Sequence, residues 1–193
     1  MFIVIDGLDA SGKSTQALRL LRFLNDKGKT VRLRVHPSDD NFLGKKAKKF
    51  LYSKGKSAHF ASSIFYMADV IRSILIYAWQ KYDYIIFVRY LMGTAYLPSP
   101  LHRIAYHFFA LFVPEPDAMF FLDAAPEEAY RRIRQNRKRH EMFESVPELK
   151  KIRVKGLFLA QIGHWIIINA DKSADEVEVE IIKMLMASEM CSR

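Results

Sequence analysis

The chain is predicted to fold as an α/β protein, with a parallel sheet of about five strands covered by helices on both faces. Three observations lead there. Short apolar segments alternate with longer helical ones along all 193 residues. Most of those segments are continuously apolar, as strands are when a sheet is covered on both sides. The first of them, Phe2–Ile5, runs into Gly7-Leu8-Asp9-Ala10-Ser11-Gly12-Lys13-Ser14-Thr15, a Gly-x-x-x-x-Gly-Lys-Ser loop that opens directly into an amphipathic helix.

The remaining elements follow in order. Lys13 to Lys27 reads as a helix with Leu18, Leu21, Phe23 and Leu24 on its apolar side, capped by Gly28. Thr30–Val35 alternates Val31, Leu33 and Val35 with Arg32 and Arg34, giving a strand with one polar side that Pro37 stops. Phe42–Leu51 is a basic helix, followed by a loop with Ser53, Gly55 and Ser57. Ala58–Lys81 is the longest helical stretch and Tyr84–Val88 the strand after it. Leu101–Val113 is a helix bounded by Pro98, Pro100 and Pro114. Ala118–Asp123 is a strand, and Pro126 opens a helix where its missing N–H costs nothing. Pro147 to Gln161 is helical and Trp165–Asn169 is the last strand. Ser173-Ala174-Asp175-Glu176 is a capping box that opens the terminal helix. With no repeat, low-complexity tract or long linker, residues 1–193 form one domain.

The loop carries the chemistry. Its glycines let the backbone curl until successive N–H groups and a helix N-terminus face a phosphate. Lys13 can reach the β- and γ-phosphates, and the Ser14 hydroxyl suits a phosphate-bound Mg²⁺. The chain is therefore expected to bind a nucleotide. A net charge of +9 suits anionic partners without naming them. The single cysteine, Cys191, excludes a disulfide framework and a Cys-rich metal site. The six histidines show no metal-ligand spacing, and no Ser-His-Asp or Cys-His arrangement is legible. Met1 leads into the first strand, and the apolar runs at Ile104–Val113 and Ala118–Leu122 are too short to cross a bilayer. A cytoplasmic protein outside the membrane is the expectation.

Five segments in order resemble the thymidylate kinase family of nucleoside monophosphate kinases. Asp6 to Gln16, including Asp9, resembles the family's opening. Pro37 resembles a proline that lines its base pocket, and Arg89-Tyr90 resembles part of its Asp-Arg-Tyr. Pro116 to Asp123 with Pro126-Glu127-Glu128-Ala129 resembles its fourth strand and the start of the lid helix. Ile166 to Asp171 with Glu176-Val177 resembles its last strand and helix. The resemblance implies a P-loop kinase fold and transfer of the γ-phosphate of ATP to dTMP, with Mg²⁺. It implies donor binding by Gly7 to Thr15, and acceptor binding by Asp9, Pro37, Tyr66 and Arg89. Ser14 and Asp9 are then the metal ligands, and Lys13, Arg89, Arg134 and Arg137 the catalytic residues. It also implies a basic lid over about 131–145 and a homodimer, for which Ile71, Ile74, Leu75, Trp79 and the Phe108-Phe109 segment offer apolar surface.

Each of these residues has a plainer reading. Asp9 can cap the adjacent helix, Arg89 can sit in a surface ion pair, and Tyr66 can be core. The run Arg131, Arg132, Arg134, Arg137, Lys138 and Arg139 can be a solvated helix face or a nucleic-acid patch. There are also departures from the family. Val88 stands in place of the Asp before Arg-Tyr, Val70 in place of the Arg that reads thymine, and His36 in place of a Glu or Phe before Pro37. The segment Leu91–Tyr96 is shorter. Three further readings follow: a kinase for another nucleoside monophosphate, an ATP-binding regulatory protein with little turnover, and a nucleic-acid-binding protein using Lys45, Lys46, Lys48, Lys49 and the Arg run. The last ranks lowest, because a lid already accounts for much of the charge.

Overall fold

The computed structural model describes residues 1–53, 56–77, 80–136 and 145–191. Its five strands are β1 (Phe2–Gly7), β2 (Val31–Val35), β3 (Tyr84–Val88), β4 (Ala118–Asp123) and β5 (Ile166–Asn169). They form one sheet in the order β2-β3-β1-β4-β5, with every neighbouring pair parallel. The helices are α1 (Lys13–Asp26), α2 (Phe42–Leu51), α3 (Lys56–Tyr77), α4 (Leu101–Ala110), α5 (Pro126–Asn136), α6 (Val146–Ile162) and α7 (Ala174–Cys191), with a 3-10 helix at Leu91–Tyr96.

The period of two along each strand sends alternate residues to two separate cores. Ile3, Ile5, Ile86, Val88, Phe120 and Leu122 pack under α1 and α7. Val4, Phe87 and Phe121 pack on the other face beneath Tyr66, Met67 and Val70 of α3, with Ile133 of α5 and Leu149 of α6. The chain passes from β1 to β2 on one side, and from β3, the neighbour of β1, back across β1 to β4 on the other, so the connections of these two adjacent strands run in opposite directions. At such a switch point the carboxyl ends of the strands leave a crevice, and the glycine loop sits there.

Three details differ from the sequence reading. The helix expected over Leu101–Val113 stops at Ala110, where Leu111 and Phe112 turn back in short-range hydrogen bonds to Phe108 and Phe109. The long helix starts earlier, at Lys56, and is described to Tyr77. The arginines of β2 do not face solvent. The Arg32 guanidinium lies 4.6 Å from the Tyr77 ring centroid, and Arg34 is 8 % exposed. β2 is an edge strand, but α3 covers the face that carries these arginines.

Among the described residues one helix, α3, is long and apolar enough to cross a membrane, over Phe60–Tyr77. In this fold it packs on the sheet through Tyr66, Met67, Val70 and Tyr77. It also buries Asp69 and Ser73.

Candidate active site

The phosphate loop is shaped by its backbone. Gly7 has φ +147°, Ala10 +58° and Gly12 +93°. A Cβ on Gly7 would lie 2.4 Å from the Leu122 carbonyl oxygen, so only glycine fits beside β4. Gly12 caps α1 with no side-chain hydrogen bond, and the first turn of α1 carries no acidic residue. The leading N–H groups of α1 and the positive end of its dipole are thus left for an anion. Lys13 is buried, and its Nζ donates to the carbonyls of Gly7 (3.0 Å) and Leu8 (2.5 Å). The ammonium charge is held inside the loop's curve. A cavity of about 540 Å³ runs from this loop past Ser14 and Thr15 to Ala174 and Val177 at the start of α7. Arg89 and Arg132 line it as well.

Arg89 lies at the carboxyl end of β3 with φ +67°. Its guanidinium forms an ion pair with Asp9, and the Tyr96 hydroxyl donates to the other Asp9 oxygen at 2.7 Å. Asp9 thereby joins the loop, β3 and the 3-10 helix. Asp6 is also buried, and its carboxylate accepts from the Gly7 amide (2.8 Å) and the Tyr90 amide (2.8 Å). Burial raises the Asp6 pKa, with the Lys13 charge working against that rise.

The family model for thymidylate kinase matches residues 5–181. The chain belongs to the thymidylate kinase family. It is similar to a probable thymidylate kinase of Pyrococcus horikoshii, at 28 % identity over 95 % of each chain. It is also similar to the thymidylate kinase of Plasmodium falciparum, at 27 % identity over 94 % of this chain and 88 % of that one. The solved thymidylate kinase of Candida albicans shares the fold, with a TM-score of 0.73 at 21 % identity, over 97 % of this chain and 92 % of that one.

Against the family pattern, the two valines have clear structural places. Val88 is buried in the core under α1 and α7. Arg89 finds its carboxylate on the loop instead, in Asp9. The carboxylate of Asp123, at the end of β4, is engaged by Arg153, which binds both its oxygens at 2.6 and 2.8 Å. Val70 has no exposed surface and belongs to the core beneath α3, so position 70 offers a base nothing polar. Tyr66 sits in the same core, with its hydroxyl donating to the Tyr90 carbonyl at 2.8 Å. Its ring lies so close to Gly93 that a Cβ there would be 2.5 Å away. Pro37 follows β2, behind the buried His36, with its neighbour Ser38 bound to Asp69.

Among the described residues of the basic run, Arg132 reaches the site. Its Nε donates to Glu128 (2.6 Å), and its Nη atoms point to the carbonyls of Ala10 (3.5 Å) and Ala170 (3.2 Å). Arg131 and Arg132 together hold the Glu128 pKa down to about 2. Arg134 is exposed on α5. Arg137, Lys138, Arg139, His140, Glu141 and Glu144 lie outside the described residues, as does Trp79.

The sequence singles out neither Arg132, which reaches the loop, nor Tyr96, which holds Asp9. A signal for Arg132 existed. The buried Ala129 and Ile133 mark the inner face of α5, and by the 100° helical step Arg132 lies nearer that face than Arg134. Nothing in the sequence pairs Tyr96 with Asp9.

Proposed function

We propose that this protein transfers the γ-phosphoryl group of ATP to dTMP. The observation that carries this reading is the single cavity that joins the anion-binding loop, Arg89 and Arg132. Lys13, Arg89, Arg132 and Lys172, from four parts of the chain, line one space, as expected where phosphoryl transfer depends on positioning and charge neutralisation. The loop amides from Gly7 to Thr15 hold the donor phosphates. Lys13 leaves the carbonyls of Gly7 and Leu8 and turns to the β- and γ-phosphates. Arg132 faces the donor side of the transferring group, with Arg134 and Arg137 as the further lid arginines. Arg89 grips the acceptor phosphate with two hydrogen bonds, and Asp9 fixes it in place. We assign Pro37 and Tyr66 to the base side from the resemblance; both are buried, and neither lines this cavity.

Mg²⁺ fits this donor set. Ser14 is exposed in the cavity, and among the described residues no three of His, Cys, Asp and Glu form a metal cage. An ion that keeps phosphate oxygens and waters as most of its ligands needs no such cage. When bound, it neutralises charge on the donor phosphates. Ser14 would hold it through its hydroxyl. Asp9, the second ligand that the resemblance implies, already has both oxygens engaged by Arg89 and Tyr96, so we assign it to the acceptor side.

We further infer a homodimer that covers the apolar surface of α3, where Leu75 is 64 % exposed, together with Phe108 of α4. We place it in the cytoplasm. Sedimentation at micromolar concentration tests the dimer, with Leu75→Glu expected to yield monomers.

The burial of Val70 supports one second reading, a kinase that accepts another nucleoside monophosphate. ADP formation from Mg·ATP with a panel of ribo- and deoxynucleoside monophosphates separates the two. The main reading expects dTMP to lead, with Lys13→Ala as the blank. No transfer to any acceptor by the wild type overturns both and leaves a nucleotide-binding protein.

A further inference from the structure

Arg89 combines two features that pull against each other. Its side chain faces the reaction space, while its backbone sits in the left-handed region that non-glycine residues avoid unless neighbours over-determine it. Three bonds do so. The Arg89 amide donates to the Ile5 carbonyl (3.1 Å), and the following Tyr90 amide donates to Asp6 (2.8 Å). The third partner is His36, whose Nδ1 lies 3.2 Å from the Arg89 carbonyl.

A carbonyl only accepts, so Nδ1 carries the proton and Nε2 is the acceptor. The surroundings agree. Ser73 Oγ lies 2.9 Å from Nε2 and can donate its proton there, while its oxygen accepts from Arg34 Nε at 3.2 Å. Arg34 in turn binds both oxygens of Asp40, at 2.5 and 2.7 Å. A line of matched donors and acceptors thus runs from Asp40 through Arg34, Ser73 and His36 to the Arg89 backbone. His36 and Ser73 have no exposed surface. The imidazole packs edge-on against Phe87, ring centroids 4.9 Å apart, where an apolar ring would also pack. What an imidazole adds there is the donor at Nδ1 and the acceptor at Nε2. His36 also touches the other end of the same residue, since the Arg89 Nη1 lies 3.5 Å from the His36 carbonyl.

We propose that His36 is a positioning residue that holds Arg89 in its left-handed backbone conformation, and so aims the guanidinium at the acceptor phosphate, through the hydrogen bond from Nδ1 to the Arg89 carbonyl. The backbone part stands by itself; the aim at an acceptor phosphate rests on the transfer reaction proposed above. Asn and Gln separate the two ring nitrogens. Asn at position 36 puts an N–H near the place of Nδ1, and Gln puts its amide near Nε2, within reach of Ser73 but not of the Arg89 carbonyl.

The test compares isotope-labelled wild type, His36→Asn and His36→Gln. Imidazole ¹⁵N shifts of the wild type must show the Nδ1–H tautomer; the Nε2–H tautomer overturns the proposal whatever the variants do, including a Gln variant that fails to fold. The Arg89 Cα and Cβ shifts are expected to keep their left-handed signature in the wild type and in His36→Asn, and to lose it in His36→Gln. With dTMP as acceptor, KM is expected to rise about ten- to a hundredfold in His36→Gln and to stay near the wild-type value in His36→Asn. ATP affinity by calorimetry stays the same in all three. A Gln variant that keeps the Arg89 signature overturns the assignment. So do Asn and Gln variants that lose ATP and dTMP affinity alike, the mark of a merely structural residue. A wild type that transfers nothing to dTMP removes the proposed reaction, while the shift comparison still decides the role of His36.

Discussion

Lys13 spends its charge on carbonyls of its own loop, and that fixes what its removal does. Lys13→Ala deletes a cation that β- and γ-phosphates need, and it opens the buried Gly7 and Leu8 carbonyls toward the cavity that Lys13 lines, where water can replace the lost donor. Turnover is expected to fall by about 10²–10³-fold or more with little change in melting temperature, read by steady-state ADP formation and a thermal scan. Gly7→Ala is the opposite case. The new Cβ would meet the Leu122 carbonyl at 2.4 Å, and neither backbone can give way. That substitution is expected to cost roughly 2–5 kcal/mol, combining overpacking with strain at φ +147°, measured by the urea midpoint. Lys13, Ser14 and the glycines were legible because one contiguous motif fixes their geometry. Arg132 was not singled out, because six basic residues within nine positions look alike until the phase of α5 is known. Tyr96 was hidden for another reason: its bond to Asp9 spans 87 residues, and only tertiary structure makes it.

At the scale of elements, local signals carried furthest where the partners are local. The capping box at α7 forms as the sequence implies. Ser173 Oγ accepts from the Glu176 amide at 3.3 Å, and Glu176 accepts from the Ser173 amide at 3.0 Å. Gly28 takes the left-handed conformation after α1, with φ +72°. Ser173→Ala is expected to cost about 1 kcal/mol and to lower the melting temperature by about 2–4 °C, readable by calorimetry. A loss well above this would mean that the start of α7 supports more than its own helix. That start is also where Gln16 Nε2 donates to the Ala174 carbonyl at 2.8 Å, beside the nucleotide cavity. β2 shows where local reading stops. Alternating arginines ordinarily mark a wet face, but Tyr77, 45 residues on, covers Arg32, and Asp40 neutralises Arg34. The early end of α4 is not marked in the sequence either, since Leu111 and Phe112 are apolar like the residues before them, although the bonds that end the helix are local.

For the whole molecule, strand number and parallel sense followed from the alternation of elements, whereas the order β2-β3-β1-β4-β5 did not, because no residue pattern records which side of β1 a crossover takes. That order nevertheless decides how the protein responds to acid. It sets β3 beside β2, which brings the Arg89 carbonyl to His36 and buries the imidazole away from water. Burial lowers the His36 pKa to about 4, with Asp69 opposing the shift and Arg34 adding to it. The unfolded chain binds a proton at this residue near pH 6.5, and the folded one does not until about pH 4. Stability from His36 is therefore complete above about pH 6.5 and is lost as pH falls from there toward 4. At pH 5 the loss is about 2 kcal/mol. Other groups act in other windows. Glu128, held down to about 2, and Asp40, held low by Arg34, lose their contribution only below the ordinary carboxylate range. Asp6, whose pKa is raised by burial, acts with the opposite sign, binding its proton more readily in the folded state and opposing folding as pH rises. Urea unfolding at pH 7, 6 and 5 is expected to show the His36 loss in the wild type. His36→Asn, which cannot take up that proton, is expected to show a flatter profile across the same range. Parallel profiles for the two proteins would assign the acid sensitivity to carboxylates instead and would mean that His36 is not kept neutral by the fold.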